Sequence, residues 1–335
     1  MCLDAIARLE ALLESGVDIN GMDANGQTLL AHAVELHDRE GIRWLLDHGA
    51  DPNVYDPNVS GMPVLHRVLM DGSFFVKGTE DILEMLLDHG ADVNAPGLEE
   101  KPLLHEYRNL SVDVVRLALK HGADVSLRNG DGETPLHYAE LAEVVALYVE
   151  HGADVNAKDR REWTPLHATQ SDEVARALLE RGADVNARDN SNQTPLHNKM
   201  PECDGVAAVL IEFGADVNAQ DDEGNTPLHC MAESFYEGLD NIEDVLRAGV
   251  NVNAQNEDGQ TPLHRTRDDE LATLLLDYGA DPLIKDEEGK YPHEVNACEA
   301  KTYFYERALM RQATNETVSK RETPLAKSKK RGTIM

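Results

Sequence analysis

Aromatic residues are scarce in this chain. They make up 5% of its 335 residues, with two Trp and five Phe. One large aromatic core is excluded, and a single compact domain rarely reaches this length. Cysteine is scarcer still. Cys2, Cys203, Cys230 and Cys298 are scattered without paired spacing, which argues against a disulfide framework or a zinc site and fits a reducing, cytoplasmic compartment. No apolar run approaches the roughly 18 residues of a membrane span. The start, Met-Cys-Leu-Asp-Ala-Ile-Ala-Arg, lacks a basic segment followed by an apolar one, so no signal peptide is expected. Cations are outnumbered, with 31 Lys and Arg against 62 Asp and Glu, a net charge of −31. Residues 320–335 hold six Lys/Arg and one Glu, contributing +5, so the rest carries −36. A body this acidic repels nucleic acid and anionic membranes and favours basic partners. The plainer reading is that the charge keeps the chain soluble and monomeric.

What the chain does have is a period. Thr-Pro-Leu-His occurs at 134–137, 164–167, 194–197, 226–229 and 261–264, at intervals of 30, 30, 32 and 35 residues. Gly-Ala-Asp-Val-Asn stands between copies at 152–156, 182–186 and 214–218, with an earlier copy at 90–94. A fixed period of this size means a repeat array. Each residue type has a structural task. Thr caps a helix N-terminus, Pro suits the first helical position, and Gly after a helix supplies the left-handed ending. Asp and Asn are expected to bond to local backbone in the turn that follows. Ser171 reads as the N-cap of a second helix, and Trp44, beside Leu45 and Leu46, reads as a core residue. Two repeats are three residues short, with the loss falling between their helices. That leaves the turn little slack, so this central section is expected to be the most rigid.

These motifs closely resemble the ankyrin-repeat family from about Leu3 to Arg311. The resemblance implies an all-α solenoid of helix-turn-helix units joined by β-hairpin-like loops. It also implies that the motif His bonds back to the Thr and to the neighbouring repeat's backbone. The domain plan reads as an N-terminal capping half-repeat over 1–27, a repeat array over 28–290, a capping repeat over 291–312 and a flexible basic tail over 313–335.

Eleven of the fourteen histidines recur in register, seven in the motif and four before the helix-ending Gly. A repeated position is a packing position, and stacking would spread these rings along the array. No nucleophile–base pair, phosphate-binding loop or metal-ligand spacing appears. The expectation is therefore a non-enzymatic scaffold with no catalytic residue, cofactor or metal. Its partners would be one or more proteins, with basic ones favoured by charge. Three alternatives are weighed against it. They are an adaptor that brings a client to an enzyme such as a ubiquitin ligase, a host-directed bacterial or viral effector of ankyrin type, and a nucleic-acid binder, which the charge opposes.

In ankyrin proteins the partner usually lies in a concave groove of hairpin tips and first helices. The tip Lys158-Asp-Arg160-Arg161-Glu-Trp163 is basic and carries a Trp directly before the motif Thr. Trp and Arg are enriched at binding hot spots. Tyr138, Arg188 and Asn190 extend this candidate surface. The competing reading has Trp163 flat on its own hairpin and the arginines paired with nearby acids. Phe74 and Phe75, in an insertion between two helices, form a second candidate patch, with Phe235 in another insertion. The run Lys327-Ser-Lys-Lys-Arg331 suggests a weak nuclear signal, against the simpler reading of a solvated tail.

Overall fold

The structure is a computed structural model. It describes residues 10–11, 14–56, 61–70, 79–97, 100–106, 110–198, 205–233, 239–296 and 298–322, without the side chains of Met70, Glu106, Asp240 and 311–322. Phe74, Phe75, Phe235, Cys2, Cys203 and the run at 327–331 lie outside the described residues. The chain divides into two compact units, residues 1–184 and 185–335.

In the first unit, helices follow in pairs: Leu29–Glu35 with Arg39–Asp47, Val64–Met70 with Thr79–Asp88, Leu103–Glu106 with Val112–Lys120, Pro135–Tyr138 with Ala142–Glu150, and Pro165–Ala168 with Asp172–Leu179. One antiparallel two-residue pairing joins Tyr55–Asp56 to Met62–Pro63. The second unit repeats the plan: Pro195–Asn198 with Val206–Glu212, Pro227–Glu233 with Asp240–Arg247, Pro262–Arg265 with Asp269–Asp277, and Pro292–Val295 with Glu299–Glu322.

Sequence explains several of these boundaries. The side chains of Asp38, Ser111, Ser171 and Asp268 accept the N–H three residues on, at 2.8 to 3.3 Å, and so start the second helices. At the other end Gly152 takes φ +93°, and the Ala153 N–H returns to the Tyr148 carbonyl at 2.9 Å. The motif leucines, Leu136 and Leu166 in the first unit and Leu196, Leu228 and Leu263 in the second, are at most 2% exposed. Each buries an apolar side chain for about 1.5–3 kcal/mol.

Several expectations change here. The three missing residues shorten the first helix itself. Pro135–Tyr138 and Pro165–Ala168 are single turns, where Pro227–Glu233 has seven residues. Trp44 is half-buried rather than core. Ile42, Leu45 and Leu46 take the buried face of its helix, and the indole stacks on His48 with centroids 4.0 Å apart. The closing helix runs on to Glu322, through residues expected to be tail. The motif Asn bonds across repeats, not locally. The Asn94 side chain accepts the Asp124 N–H at 2.8 Å and donates to the Gly122 carbonyl at 3.0 Å. Asp92, by contrast, stays local and accepts the Asn94 N–H at 2.9 Å. An Asn carries a donor and an acceptor on one rigid amide, which matches a neighbour's C=O and N–H together. A carboxylate can only accept.

Candidate protein-binding surface

The candidate tip is held by Asp159. Its buried carboxylate accepts the Arg161 N–H at 2.8 Å and the Trp163 N–H at 2.7 Å. The Asp159 N–H returns to the Trp163 carbonyl at 2.9 Å, closing the hairpin. Asp189 plays the same part in the second unit, accepting the Ser191 and Gln193 N–H groups at 2.9 and 2.8 Å. The recurrence of Asp or Asn at this offset was the sequence signal that could have found Asp159.

Trp163 is half-buried. The Arg161 guanidinium lies 4.2 Å from the centroid of its ring, and the His167 ring stacks at 6.2 Å. The same Arg161 faces Asp159 at 3.4 Å and Glu133 at 3.9 Å, yet its side chain stays 61% exposed. A cation over an indole at an exposed site contributes about 0.5–1 kcal/mol, so Arg161 is held loosely. Lys158 pairs with Glu162 at 3.0 Å. The Arg160 N–H donates to the Asp131 carbonyl at 2.9 Å, and its side chain is exposed.

Tyr138 joins this group through Glu133. Its hydroxyl donates to the Glu133 carboxylate and accepts from the Asn129 amide at 2.9 Å. Burial would raise the Glu133 pKa, but hydrogen bonds from Tyr138 and Asn129 and the nearby His137 and Arg161 outweigh it, and the net shift is downward. Glu133 is thus held as a carboxylate. Asn129 and Glu133 escaped the sequence reading because their role comes from a neighbouring element. Beside Tyr138, the single-turn helices leave a cleft of about 310 Å³ lined by Tyr138, Glu140, Ala168, Gln170 and Ser171.

Tyr138, Glu133, Arg161 and Trp163 are therefore linked in the first unit, and Lys158 and Arg160 stand on the same hairpin tip. Arg188 and Asn190 belong to the second. Asn190 is exposed. Arg188 is a strut, donating to the carbonyls of Asn192 and Gln220. Arg128 does the same in the first unit, to Gly132 and Lys158.

The candidate tip carries backbone strain, as do the equivalent positions Glu100 (φ +59°) and, in the second unit, Asn192 (φ +60°). Glu162 has φ +61° where the neighbouring hairpin has Gly132 at +83°. A left-handed backbone costs a non-glycine residue about 1 kcal/mol or more.

The histidines of the five Thr-Pro-Leu-His copies are committed to structure through the motif Thr. The His137 Nδ1 accepts the Thr134 N–H at 3.1 Å, so its proton sits on Nε2, which faces the Trp163 carbonyl at 3.0 Å. His229 does likewise between Thr226 and Gln260 in the second unit, at 3.1 and 2.9 Å. Among the described residues, no group of three His, Cys, Asp or Glu side chains could hold a metal, and no helix is long and apolar enough to cross a membrane.

Comparison with known proteins agrees with this geometry. The family model described as ankyrin repeats (3 copies) matches residues 69–159, 140–220 and 199–286, and a single ankyrin-repeat model matches 25–54. The chain belongs to the ankyrin-repeat family. It is 30% identical over 139 residues to an ankyrin repeat protein of Fowlpox virus (strain NVSL), a match covering 42% of this chain and 18% of that one. It is also 30% identical over 144 residues to the B-cell lymphoma 3 protein homolog of Mus musculus, covering 43% of this chain and 30% of the relative. These matches span well under half of either relative. The crystal structure of the ankyrin repeat domain of Bcl-3 superposes with a TM-score of 0.51 at 27% identity, covering 67% of this chain and 99% of that one.

Proposed function

We propose that this chain is a non-enzymatic binding scaffold that grips a protein partner at the face carrying Tyr138, Arg161 and Trp163. The observation that carries this is the Arg161–Trp163 pair. A rigid indole is pinned through its own backbone to Asp159, and an exposed guanidinium lies over it. The half-buried indole loses little entropy on binding, and both residue types are favoured at hot spots. A partner cation can replace Arg161 on the ring, or a partner carboxylate can draw the guanidinium away. The net charge of −31 favours partners that are basic overall and disfavours nucleic acid. The relatives support a role in protein interaction, a general property of ankyrin repeats. The virus protein among them keeps the host-directed effector reading in view.

Affinity capture with the full-length chain, followed by mass spectrometry, tests the proposal. Trp163→Ala and Arg161→Ala should each lose the same captured protein while the unfolding midpoint stays within about 2 °C, as for surface substitutions. Undiminished capture by both variants removes this face from consideration.

A further inference from the structure

At seven hairpin junctions an Asn side chain accepts the neighbouring repeat's N–H. These are Asn20 to Asp51, Asn53 to Asp92, Asn94 to Asp124 and Asn156 to Asp184 in the first unit, and Asn186 to Asp216, Asn218 to Asn251 and Asn253 to Asp281 in the second, all at 2.8–2.9 Å. At the remaining junction of the first unit the Asn position holds Ser126. Its hydroxyl turns back to its own Asp124 at 2.6 Å. A hydroxymethyl group is too short to span the gap and has no amide to satisfy two groups at once. Among the described residues, no hydrogen bond from this hairpin reaches the Asp154 N–H or the Gly152 carbonyl.

On its other side the same hairpin, residues 122–133, is held by Asn94 at Asp124 and Gly122 and by a motif histidine. The His105 Nε2 faces the Leu127 and Glu133 carbonyls at 3.0 and 3.1 Å. Its Nδ1, however, is buried and without a partner. Pro102 explains this. The His105 N–H donates to the Pro102 carbonyl, so Pro102 stands where Thr134 stands for His137. Proline offers neither an N–H nor a hydroxyl to Nδ1.

We propose that the junction between hairpins 122–133 and 152–163 is a built-in joint, and that the partner-binding face is its clasp. With the base clamp missing, the hairpins are joined at their tips. Arg128 donates to the Lys158 carbonyl at 2.5 Å, the Arg160 N–H to the Asp131 carbonyl at 2.9 Å, and Arg161 faces Glu133 at 3.9 Å. Those tip residues belong to the candidate docking face, and the regulatory part of the proposal rests on that reading. A partner that takes Arg161 away from Glu133 loosens the joint. A partner that spans both tips closes it.

Hydrogen exchange of the full-length chain, free of any partner, tests the joint. The Asp154 amide should exchange roughly 5- to 10-fold faster than those of Asp124 and Asp184, the difference one clamping hydrogen bond makes. Ser126→Asn should slow Asp154 by that factor, and Asn94→Ser should raise Asp124 to match it. Arg161→Glu sets two carboxylates against each other. It should speed exchange over 126–133 when Ser126 is present and much less in the Ser126→Asn background. Equal protection at all three amides, or no response to Ser126→Asn, overturns the joint. An Arg161→Glu effect of the same size in both backgrounds overturns the clasp. Loss of capture bears on the docking face alone, so the two readings fail separately.

Discussion

The imidazole of His229 bridges two repeats of the second unit. Its Nδ1 accepts the Thr226 N–H at 3.1 Å and its Nε2 donates to the Gln260 carbonyl at 2.9 Å. Only the neutral ring can do both, because protonating Nδ1 would set its new proton against the Thr226 N–H. Burial, the largest cause, pushes the His229 pKa down to about 4, helped by the nearby Arg265. Burial also lowers His105, His137, His197 and His264.

The sign follows from proton linkage. The unfolded chain takes up these protons near pH 6.5, whereas the folded chain resists. The stability they contribute is complete above 6.5 and is lost as pH falls below it, for His229 down to about 4. His229 alone should account for roughly 2–3 kcal/mol. Urea unfolding between pH 7.5 and 4.5 should show the loss, and His229→Gln should flatten the slope. Identical slopes in the two proteins would show that His229 is not the titrating group.

Strain at the candidate tip makes a second prediction. Glu162→Gly relieves a left-handed backbone at φ +61° and should stabilise the chain by about 0.5–1 kcal/mol, the entropy of the new glycine offsetting part of the gain. Asn192, at φ +60° in the second unit, is of a type that tolerates this region. Asn192→Gly should therefore change stability by only a few tenths of a kcal/mol. Chemical denaturation of both variants gives the comparison, and a larger gain from Asn192→Gly would contradict it.

Two glycines of the second unit with nearly equal dihedrals should behave differently. A Cβ on Gly259 (φ +73°) would lie 2.8 Å from the Glu287 N and 3.2 Å from the Asp286 carbonyl carbon. A Cβ on Gly249 (φ +84°) would meet nothing within 4 Å. Gly249→Ala should cost about 1 kcal/mol of dihedral strain. Gly259→Ala should cost about twice that or more, since the next hairpin must shift. Equal unfolding free energies would mean that the hairpin stacking is looser than the Glu287 N–H to Asp258 carbonyl bond, at 2.9 Å, suggests.

The parts of this fold that were legible in the sequence are those that repeat. Thr134, Pro135 and His137 declare themselves because the same local chemistry is needed five times. Asp159 and Asn156 recur too, but the direction of their bonds was hidden. A turn residue that bonds locally and one that bonds to the next repeat look alike until the repeats are stacked. Trp163 and Arg161 stood out as breaks in a pattern. Glu133 and Asn129 did not, because they matter only through Tyr138 and Arg161, which reach them in space. Lys301 was invisible for the same reason, as one of two Lys residues in a polar helix.

That lysine is fully buried. Its ammonium donates to the Thr266 carbonyl and, at 2.7 Å, to the Asn296 carbonyl, just past the helices Pro262–Arg265 and Pro292–Val295. A cation suits the carbonyl end of a helix, so Lys301 ties the closing helix to two others. Desolvation still dominates, pushing its pKa down to about 8, against the pull of Cys298 and Asp269. Between pH 8 and 10.5 the unfolded chain holds the proton that the folded chain has released. Stability from this group is therefore complete above 10.5 and is lost as pH falls to 8. Wild type should gain about 3 kcal/mol relative to Lys301→Met across that window. Other groups titrate equally in both proteins and cancel in the difference. Parallel pH profiles from 8 to 10.5 would show that the folded chain gives up this proton no more readily than the unfolded one.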